Sequence, residues 1–401
     1  MPPGAADVLI VGGGHTGLLA VLALHRVGLD VALIDPEPLE RVLAAPFDGR
    51  ALALMRGARE ALDARALWAP LAGISTPVGG VRVVDEATGS AVDYDAGEAG
   101  AEPFAWGLEN RLLRRRLLEE ALGRGIPVEA PARLVGLAHT PDAVTLTLAG
   151  GSRRRARLVI GADGRESTLR RLVGIAVDRW RYRQAALTFA IEHEKPHGHR
   201  VREILRPAGP LALLPIGPAM CSLTWVERED DARLLAAGGR EALAAALRAR
   251  IGDLLGPFAV RGEPALYPLA AHAARRLVAP RTALLGDAAH GMHPIHAQGF
   301  NLGVRDVLTL ADRLAVVARG GGDPGESELL LDYERRRRAD VRFTLNLTDG
   351  LNRLFSNDFG PAKAIRSLGF AALERVGPLK RLAMRRGMGL GLLDPAPARY
   401  D

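Results

Sequence analysis

Residues 7–17 read Asp7-Val8-Leu9-Ile10-Val11-Gly12-Gly13-Gly14-His15-Thr16-Gly17. A short apolar strand runs straight into G-x-G-x-x-G, with Gly12, Gly14 and Gly17 in register. Leu18 to Val27, mostly Leu, Ala and Val, continues as a helix, and Asp30 to Ile34 is a second strand ending at Asp35. The glycines allow a tight turn, the approach of a pyrophosphate to bare backbone and close packing of helix on strand. The acid can bond a ribose hydroxyl. The glycine pattern alone is weak; strand, helix, strand and acid around it make it specific. A Rossmann-like nucleotide-binding unit is expected. Because an acid stands at position 35 and no Arg replaces it, adenosine with a free 2′-OH (NAD or FAD) is favoured over NADP.

Two further strands end in an acid. Leu158-Val159-Ile160-Gly161-Ala162 leads to Asp163, which opens D-G-x-x-S-x-x-R; such an Asp can also do no more than cap the next helix. Leu284 to Asp306 reads LLGDAAHGMHPIHAQGFNLGVRD, a strand ending at Asp287, a turn, and a helix opened by Gln298-Gly299-Phe300-Asn301. The acid could hold a polyol, and the free N–H groups of the helix start could hold an anion such as the pyrimidine edge of a reduced flavin. Gly299 and Gly303 would let a flat ring lie against the backbone. An ordinary strand–turn–helix is the alternative.

The chain has 401 residues and 48% hydrophobic content, enough for two or three domains with a sizeable core. Its net charge of +7 favours an anionic partner, but the Arg residues are dispersed and aromatics are only 4%, so nucleic acid is not expected. Cys221 is the single cysteine, which excludes an intrachain disulfide and fits a reducing compartment. No secretory signal is read at the N-terminus, and a cytoplasmic location is expected, at the inner face of a membrane if the tail attaches there. From Pro207 to Val226 no residue is charged, but four prolines and two glycines interrupt the run, so it reads as buried strands and not as a membrane span. No metal site is expected.

In chain order, Phe47 to Leu54 reads as a polar turn ahead of a helix, and Gly80 to Gly97 as two antiparallel strands of a different sheet. Glu109-Asn110 opens a helix on which Arg114, Arg115 and Arg116 are expected to be mostly solvated. Pro127 to Leu137 and Val144 to Leu148 look like strands, with a turn at Arg153 to Arg157. Strand-like runs between Tyr182 and Glu227 predict an antiparallel sheet. The stretch from Phe359 to Leu390 interleaves Leu, Ile, Phe and Met with Lys363, Arg366, Arg375, Lys380, Arg381, Arg385 and Arg386, a basic amphipathic helical end. A helix packed on the protein with a wet basic face is the alternative.

Taken together, GGGHTG, DGRALAL, LWAPL, ENRLL, GADGRESTLRR, GPLALLP, HPIHAQGFNLGVRD, YERRR and TDGLNRLFSND resemble the FAD-dependent aromatic hydroxylases of the para-hydroxybenzoate hydroxylase type (class A flavoprotein monooxygenases). Within them the chain is most similar to the ubiquinone-biosynthesis hydroxylase branch. The resemblance implies an α/β fold in which a Rossmann-like FAD-binding domain (1–75, 105–178 and 276–330) is interleaved with an antiparallel-sheet substrate domain (76–104 and 179–275), followed by a helical C-terminal region (331–401). It implies that Gly12, Gly14, Gly17 and Asp35 hold the ADP half of FAD, and that Arg50 and Asn110 contact the phosphate and ribityl region. Asp163 would support FAD and transient NADH or NADPH, and Asp287 would bond the ribityl chain. Pro294 would sit near the reactive edge of the flavin, and the backbone of Gly299, Phe300 and Asn301 would face its pyrimidine ring. The implied reaction is hydroxylation of an electron-rich ring by NAD(P)H and O2 through a C4a-hydroperoxyflavin, with a prenylated phenol as substrate and with quinone-biosynthesis proteins and a membrane surface as partners. His293 and His296 are the candidates for catalytic side chains beside Pro294. The chain departs from the family where His296-Ala297 replaces the usual Ala-Gly and Tyr182-Arg183-Gln184 replaces Tyr-Gly-Gln. Other readings are another aromatic or lipophilic substrate, a flavin dehydrogenase or reductase, and a non-catalytic assembly subunit that binds FAD and lipid.

Overall fold

A computed structural model describes residues 6–100 and 102–393. Its first sheet is built on the strand Ala6–Val11, flanked by Arg153–Gly161 and Val31–Ile34, all parallel, with Thr282–Leu284 and Val128–Glu129 outside them. These strands are near-continuous runs of Val, Leu, Ile and Ala because helices cover the sheet and both faces are dry. His15–Arg26 and Gly299–Gly320 pack there against each other. The second sheet has eight strands in the order His290–Gly291, Phe258–Ala274, Val177–His193, Met220–Arg228, Leu211–Gly217, Arg200–Leu205, Gly80–Asp85, Ala91–Asp95. All its pairings are antiparallel except Arg200–Leu205 with Gly80–Asp85. Ala51–Met55, Ala105–Glu109 and Ser75–Val78 form a third sheet of three strands between the other two.

Two expectations fail locally. Arg153 to Arg157 is not a turn: it starts the strand Arg153–Gly161 and pairs with Val144–Leu148, so the turn is Ala149 to Ser152. Its charges are compatible with a strand because Arg154 and Arg155 reach Glu129 and Asp142 at 2.6 Å each, leaving Ala156 to face inward. Residues 51–54 are not part of a turn but of the strand Ala51–Met55, whose Leu54 is buried in the main core. Alternation of small and large apolar residues, and not the polar Asp48-Gly49-Arg50 before it, decides that segment.

Three helices complete the described chain, Ser327–Phe355, Gly360–Arg375 and Gly377–Gly387. The first is fixed to the core beside the parallel sheet by a buried polar brace. Asp306 accepts from His290 Nε2 (2.6 Å), Gly286 N–H (3.0 Å) and Arg337 Nε (2.7 Å), and Tyr333 Oη donates to Leu284 O at 2.9 Å. Burial alone would raise the Asp306 pKa, but His290 and Arg337 pull it down to about 2. The second is held by Arg366, expected on a wet basic face but fully buried: it pairs with equally buried Asp85 at 3.2 Å and donates to the carbonyl of Phe355 at 3.0 Å. An unpaired carboxylate at Asp85 would be too costly inside the protein, so the arginine goes to it. Lys380 also turns inward, to Glu98 at 2.9 Å.

Candidate active site

The glycines of the first turn divide by what surrounds them. A Cβ at Gly12, which holds φ +109°, would lie 2.4 Å from the carbonyl oxygen of Ala162, and one at Gly17 would lie 1.8 Å from that of Gly12. Both are needed for packing. At Gly14 a Cβ would meet nothing within 4 Å, so bare backbone faces open space at the start of His15–Arg26, a helix whose N-terminus no side chain caps. Asp35 lies beside this opening and accepts the N–H of Gly13 and of Glu37. Of the three arginines of which at least two were expected to be solvated, Arg114 is the one that belongs here. Its Nε donates to Gly13 O at 2.8 Å, and its guanidinium pairs with Glu37 and, at 3.5 Å, with Asp35. Arg115 and Arg116 are half-exposed and pair with Glu119. The usable signal was spacing, since Arg114 is four residues after Asn110 on the same helix face.

Asn110 and Arg50 lie further along the same cleft. The main-chain carbonyl of Asn110 bonds His15 Nε2 at 2.8 Å, while its side-chain Oδ1 is buried without a partner. His15 in turn meets the ring of Phe300 edge-on at 5.9 Å, and burial lowers its pKa. Arg50 folds onto Asp48 (2.6 Å) and Tyr267 Oη (3.0 Å), with much of its guanidinium exposed. The three acid-ended strands do not present their carboxylates equally. Asp163 is spent on the helix Thr168–Leu172, accepting from Ser167 Oγ and from the N–H of Thr168 (2.7 Å) and Leu169 (3.0 Å). Asp287 is exposed into the cleft, with Arg165 Nε at 3.3 Å.

The turn after Asp287 carries the unusual backbone. His296 and Ala297 hold φ of +74° and +50°, and Arg183 on the neighbouring sheet holds +53°. Gly299–Gly320 then begins without a side-chain cap, and a Cβ at Gly299 would meet nothing within 4 Å. Gly303 differs from expectation: a Cβ there would be 3.0 Å from Thr16 Oγ1, so this glycine serves the contact between two helices and not a bound ring. The side chain of Asn301 is fully engaged, donating to Ala53 O and Ala297 O and accepting the Met55 N–H at 2.8 Å. Only its backbone remains for a ligand.

His293 and His296 part company. His293 is buried against Tyr182 (ring centroids 5.0 Å apart), its Nε2 has no partner, and burial drops its pKa to about 4, so it is neutral at ordinary pH. His296 stands open to a large cavity whose surrounding protein lowers its pKa. Tyr182-Arg183-Gln184 and the Thr348-to-Asp358 motif, apart in sequence, meet behind this turn, where Asn352 Nδ2 donates to Gln184 Oε1 at 3.0 Å.

The cavity, of about 520 Å³, starts at Pro294 to Gln298 and runs between the eight-stranded sheet and the C-terminal helices. Its walls are mainly aliphatic and aromatic, among them Val83, Leu205, Leu351, Phe355, Phe370 and Met384. The cleft on the other side of the turn suits FAD: two helix starts without side-chain caps, open backbone at Gly14 and Gly299, an exposed carboxylate at Asp287 and the orphaned Oδ1 of Asn110 answer to phosphates, a flat ring and ribityl hydroxyls.

Residues 5–347 match the FAD binding domain family. The chain belongs to that family. It is 45% identical over 396 residues to the ubiquinone hydroxylase UbiL of Rhodospirillum rubrum, covering 98% of this chain and 92% of the relative. It is 33% identical to the 3-demethoxyubiquinol 3-hydroxylase of Escherichia coli, covering 96% and 98%. Among solved structures, p-nitrophenol 4-monooxygenase PnpA of Pseudomonas putida superposes with a TM-score of 0.80 at 19% identity, covering 96% of this chain and 99% of that one. As a member of the family the chain is an FAD-dependent monooxygenase, with the mixed parallel and antiparallel architecture that the sequence predicts.

Proposed function

We propose that this protein hydroxylates the ring of a prenylated phenol on the route to ubiquinone, with NADH or NADPH as electron donor. The observation that carries the reading is the apolar cavity ending at the Pro294–Gln298 turn, because it offers an isoprenoid chain a dry path away from the flavin. The names of the relatives in Rhodospirillum rubrum and Escherichia coli support the same substrate class. When bound, reduced FAD supplies the activated oxygen; the protein orients the ring and excludes water.

In this reading Gly12, Gly14, Gly17 and Asp35 hold the ADP half, with Arg114 fixing the Asp35–Glu37 corner. Arg50 and the free Oδ1 of Asn110 serve the phosphate and ribityl region, and Asp287 the ribityl hydroxyls. The N–H groups of Gly299, Phe300 and Asn301 face the pyrimidine edge. Asp163 acts through the fold of its loop, since its carboxylate is already occupied. Pro294 and His296 border the ring, whereas His293 supports the turn from behind. Residues 76–104 and 179–275 act as the substrate domain.

The C-terminal helices serve membrane contact. Among the described residues no helix is long and apolar enough to cross a bilayer. Phe359 and Leu368 are nonetheless 69% and 71% exposed, with Ile365, Leu379 and Leu382 also exposed and Arg375, Arg381 and Arg385 alongside. Apolar side chains beside basic ones on helices that also wall the cavity suit delivery of a lipid from an anionic leaflet.

The test is NAD(P)H-dependent oxygen uptake by the FAD-loaded protein with a short-chain 2-prenylphenol, followed by mass analysis of the product. A hydroxylated ring supports the reading. NAD(P)H oxidation with peroxide alone points to a reductase, and bound FAD with no NAD(P)H oxidation points to a non-catalytic subunit.

A further inference from the structure

Among the described residues the cavity wall carries one carboxyl group. Glu203, on the strand Arg200–Leu205, is the only Asp or Glu among the described lining residues. Its place follows from the sheet register: Glu203 pairs with Val83, and Val201 with Val81, which pairs with Tyr94 on the next strand. Val81, Val83, Tyr94, Val201, Glu203 and Leu205 therefore share the face that walls the cavity. No hydrogen bond or ion pair joins Glu203 to any described residue, and apart from Tyr94 its neighbours on that face are apolar.

A carboxyl group set among valines loses its hydration and gains nothing in return. Burial raises its pKa to about 7, so a substantial share of the group is the neutral acid at neutral pH, and that form can donate a hydrogen bond. Tyr94 faces the same space, and burial, then Glu374, then Glu203 push its phenol to about 12. The position relative to the chemistry is informative. Val83, Leu205 and Tyr94 pack in one cluster with Ile295, the residue between Pro294 and His296. Glu203 thus belongs to the stretch of wall next to the flavin turn, and Arg386 and Gly387 line the cavity at the tail helices.

We propose that Glu203, assisted by Tyr94, is a specificity-determining residue whose carboxyl group donates a hydrogen bond to an oxygen substituent of the aromatic ring, so that an oxygenated ring with an apolar tail is taken and a bare hydrocarbon is not. This inference deepens the proposed hydroxylation and rests on it for the identity of the ring. Neither feature suffices alone: a wholly apolar stretch of wall would strand a ring oxygen without a partner, and a polar one would reject the tail. A carboxyl donor set among Val81, Val83, Val201 and Leu205 serves both.

The test uses the FAD-loaded protein and titration calorimetry without NAD(P)H, so that no turnover is involved. The probes are a short-chain 2-prenylphenol and the corresponding prenylbenzene. Wild type should bind the phenol about tenfold more tightly, the scale of one buried hydrogen bond. Glu203→Leu should bring the two affinities to within about twofold without weakening the prenylbenzene, and Glu203→Gln, which keeps a donor, should retain most of the preference. FAD content of each variant reports folding. A Glu203→Leu protein that keeps the wild-type preference overturns the proposal, as does an equal loss for both probes or a wild type that does not discriminate. Product analysis of the wild type with NAD(P)H and O2 reads the hydroxylase assignment separately, so either can fail while the other stands.

Discussion

At the scale of the residue, Asp287 is the most exposed test of the cofactor cleft. Its carboxylate is half-exposed and forms an ion pair with half-exposed Arg165, so truncation breaks no buried ion pair and should leave the fold intact. A charge-assisted hydrogen bond to a ribityl hydroxyl is worth about 1.5–3 kcal/mol, and Asp287→Ala should weaken FAD binding by one to two decades. Fluorescence titration that shows an unchanged affinity removes Asp287 from the site. His296→Ala should keep FAD and shift the ratio of hydroxylated product to H2O2, because this side chain is open to the cavity beside the turn; equal product and peroxide yields would make it structural. Two non-glycine positions near the turn have a backbone cost. Arg183 and Ala297 both hold left-handed φ, a conformation that disfavours a Cβ by about 1–2 kcal/mol. Arg183→Gly, at an exposed position, should therefore leave the melting temperature unchanged or raise it, and a drop of several degrees would show that the guanidinium contributes contacts worth more than the strain.

Among the elements, the long helix Ser327–Phe355 is the brace. Its Arg337 and Tyr333 reach under the flavin loop to Asp306 and Leu284, so the loop's shape depends on a helix about thirty residues later in the chain. Asp306 has a folded pKa of about 2, below its ordinary 3.8, and the stability it adds is full above the ordinary value and lost as pH falls towards 2. Asp306→Asn should flatten this part of the acid-denaturation profile and, by removing one of the two carboxylates that hold buried Arg337 (Asp340, at 2.6 Å, is the other), cost about 1.5–3 kcal/mol at neutral pH. A variant with wild-type urea midpoint at pH 7 would refute the brace. The sequence displayed the strands and turns here but not this network. Y-E-R-R-R reads as an amphipathic charged helix, because nothing in its spacing says which arginine turns inward. Gly12, Gly14 and Gly17 were legible because G-x-G-x-x-G between an apolar strand and a helix is a recognisable pattern, even though the constraint on Gly12 comes from distant Ala162. Gly303 was misread because its constraint comes from Thr16, a contact no local pattern encodes. Arg153 to Arg157 was misread for the opposite reason, as charge density masked a period of two.

For the whole molecule, the three sheets place two unlike solvents on either side of one turn: a polar cleft for the cofactor and a dry cavity for the substrate. The broad division into parallel and antiparallel parts was visible in the sequence because each part has its own hydrophobic pattern. The cavity was not, since Val83, Leu205, Phe355 and Phe370 come from distant segments and look like ordinary core. The tail illustrates both. Its amphipathic pattern was readable, yet Arg366 and Lys380 are anchors that face inward. Reversal of Arg375, Arg381 and Arg385 to Glu should reduce sedimentation with anionic liposomes, most clearly at low salt, since each basic group near the leaflet contributes about 1 kcal/mol. An FAD-loaded triple variant that sediments as well as wild type would end the proposed role.

The last turn of Gly377–Gly387 reaches the flavin loop itself, where the Gln298 amide donates to Gly387 O at 3.3 Å. The wall of the apolar channel is therefore finished by a short helix that rests against the residue opening the Gly299 helix. A slim alkyl chain suits such a passage as well as an isoprenoid does, which makes the choice of detergent part of the enzymology. Straight-chain glucosides and maltosides should behave as competitive inhibitors whose potency grows with chain length, whereas a rigid steroid detergent, too broad for the passage, should solubilise the same membranes without touching the rate.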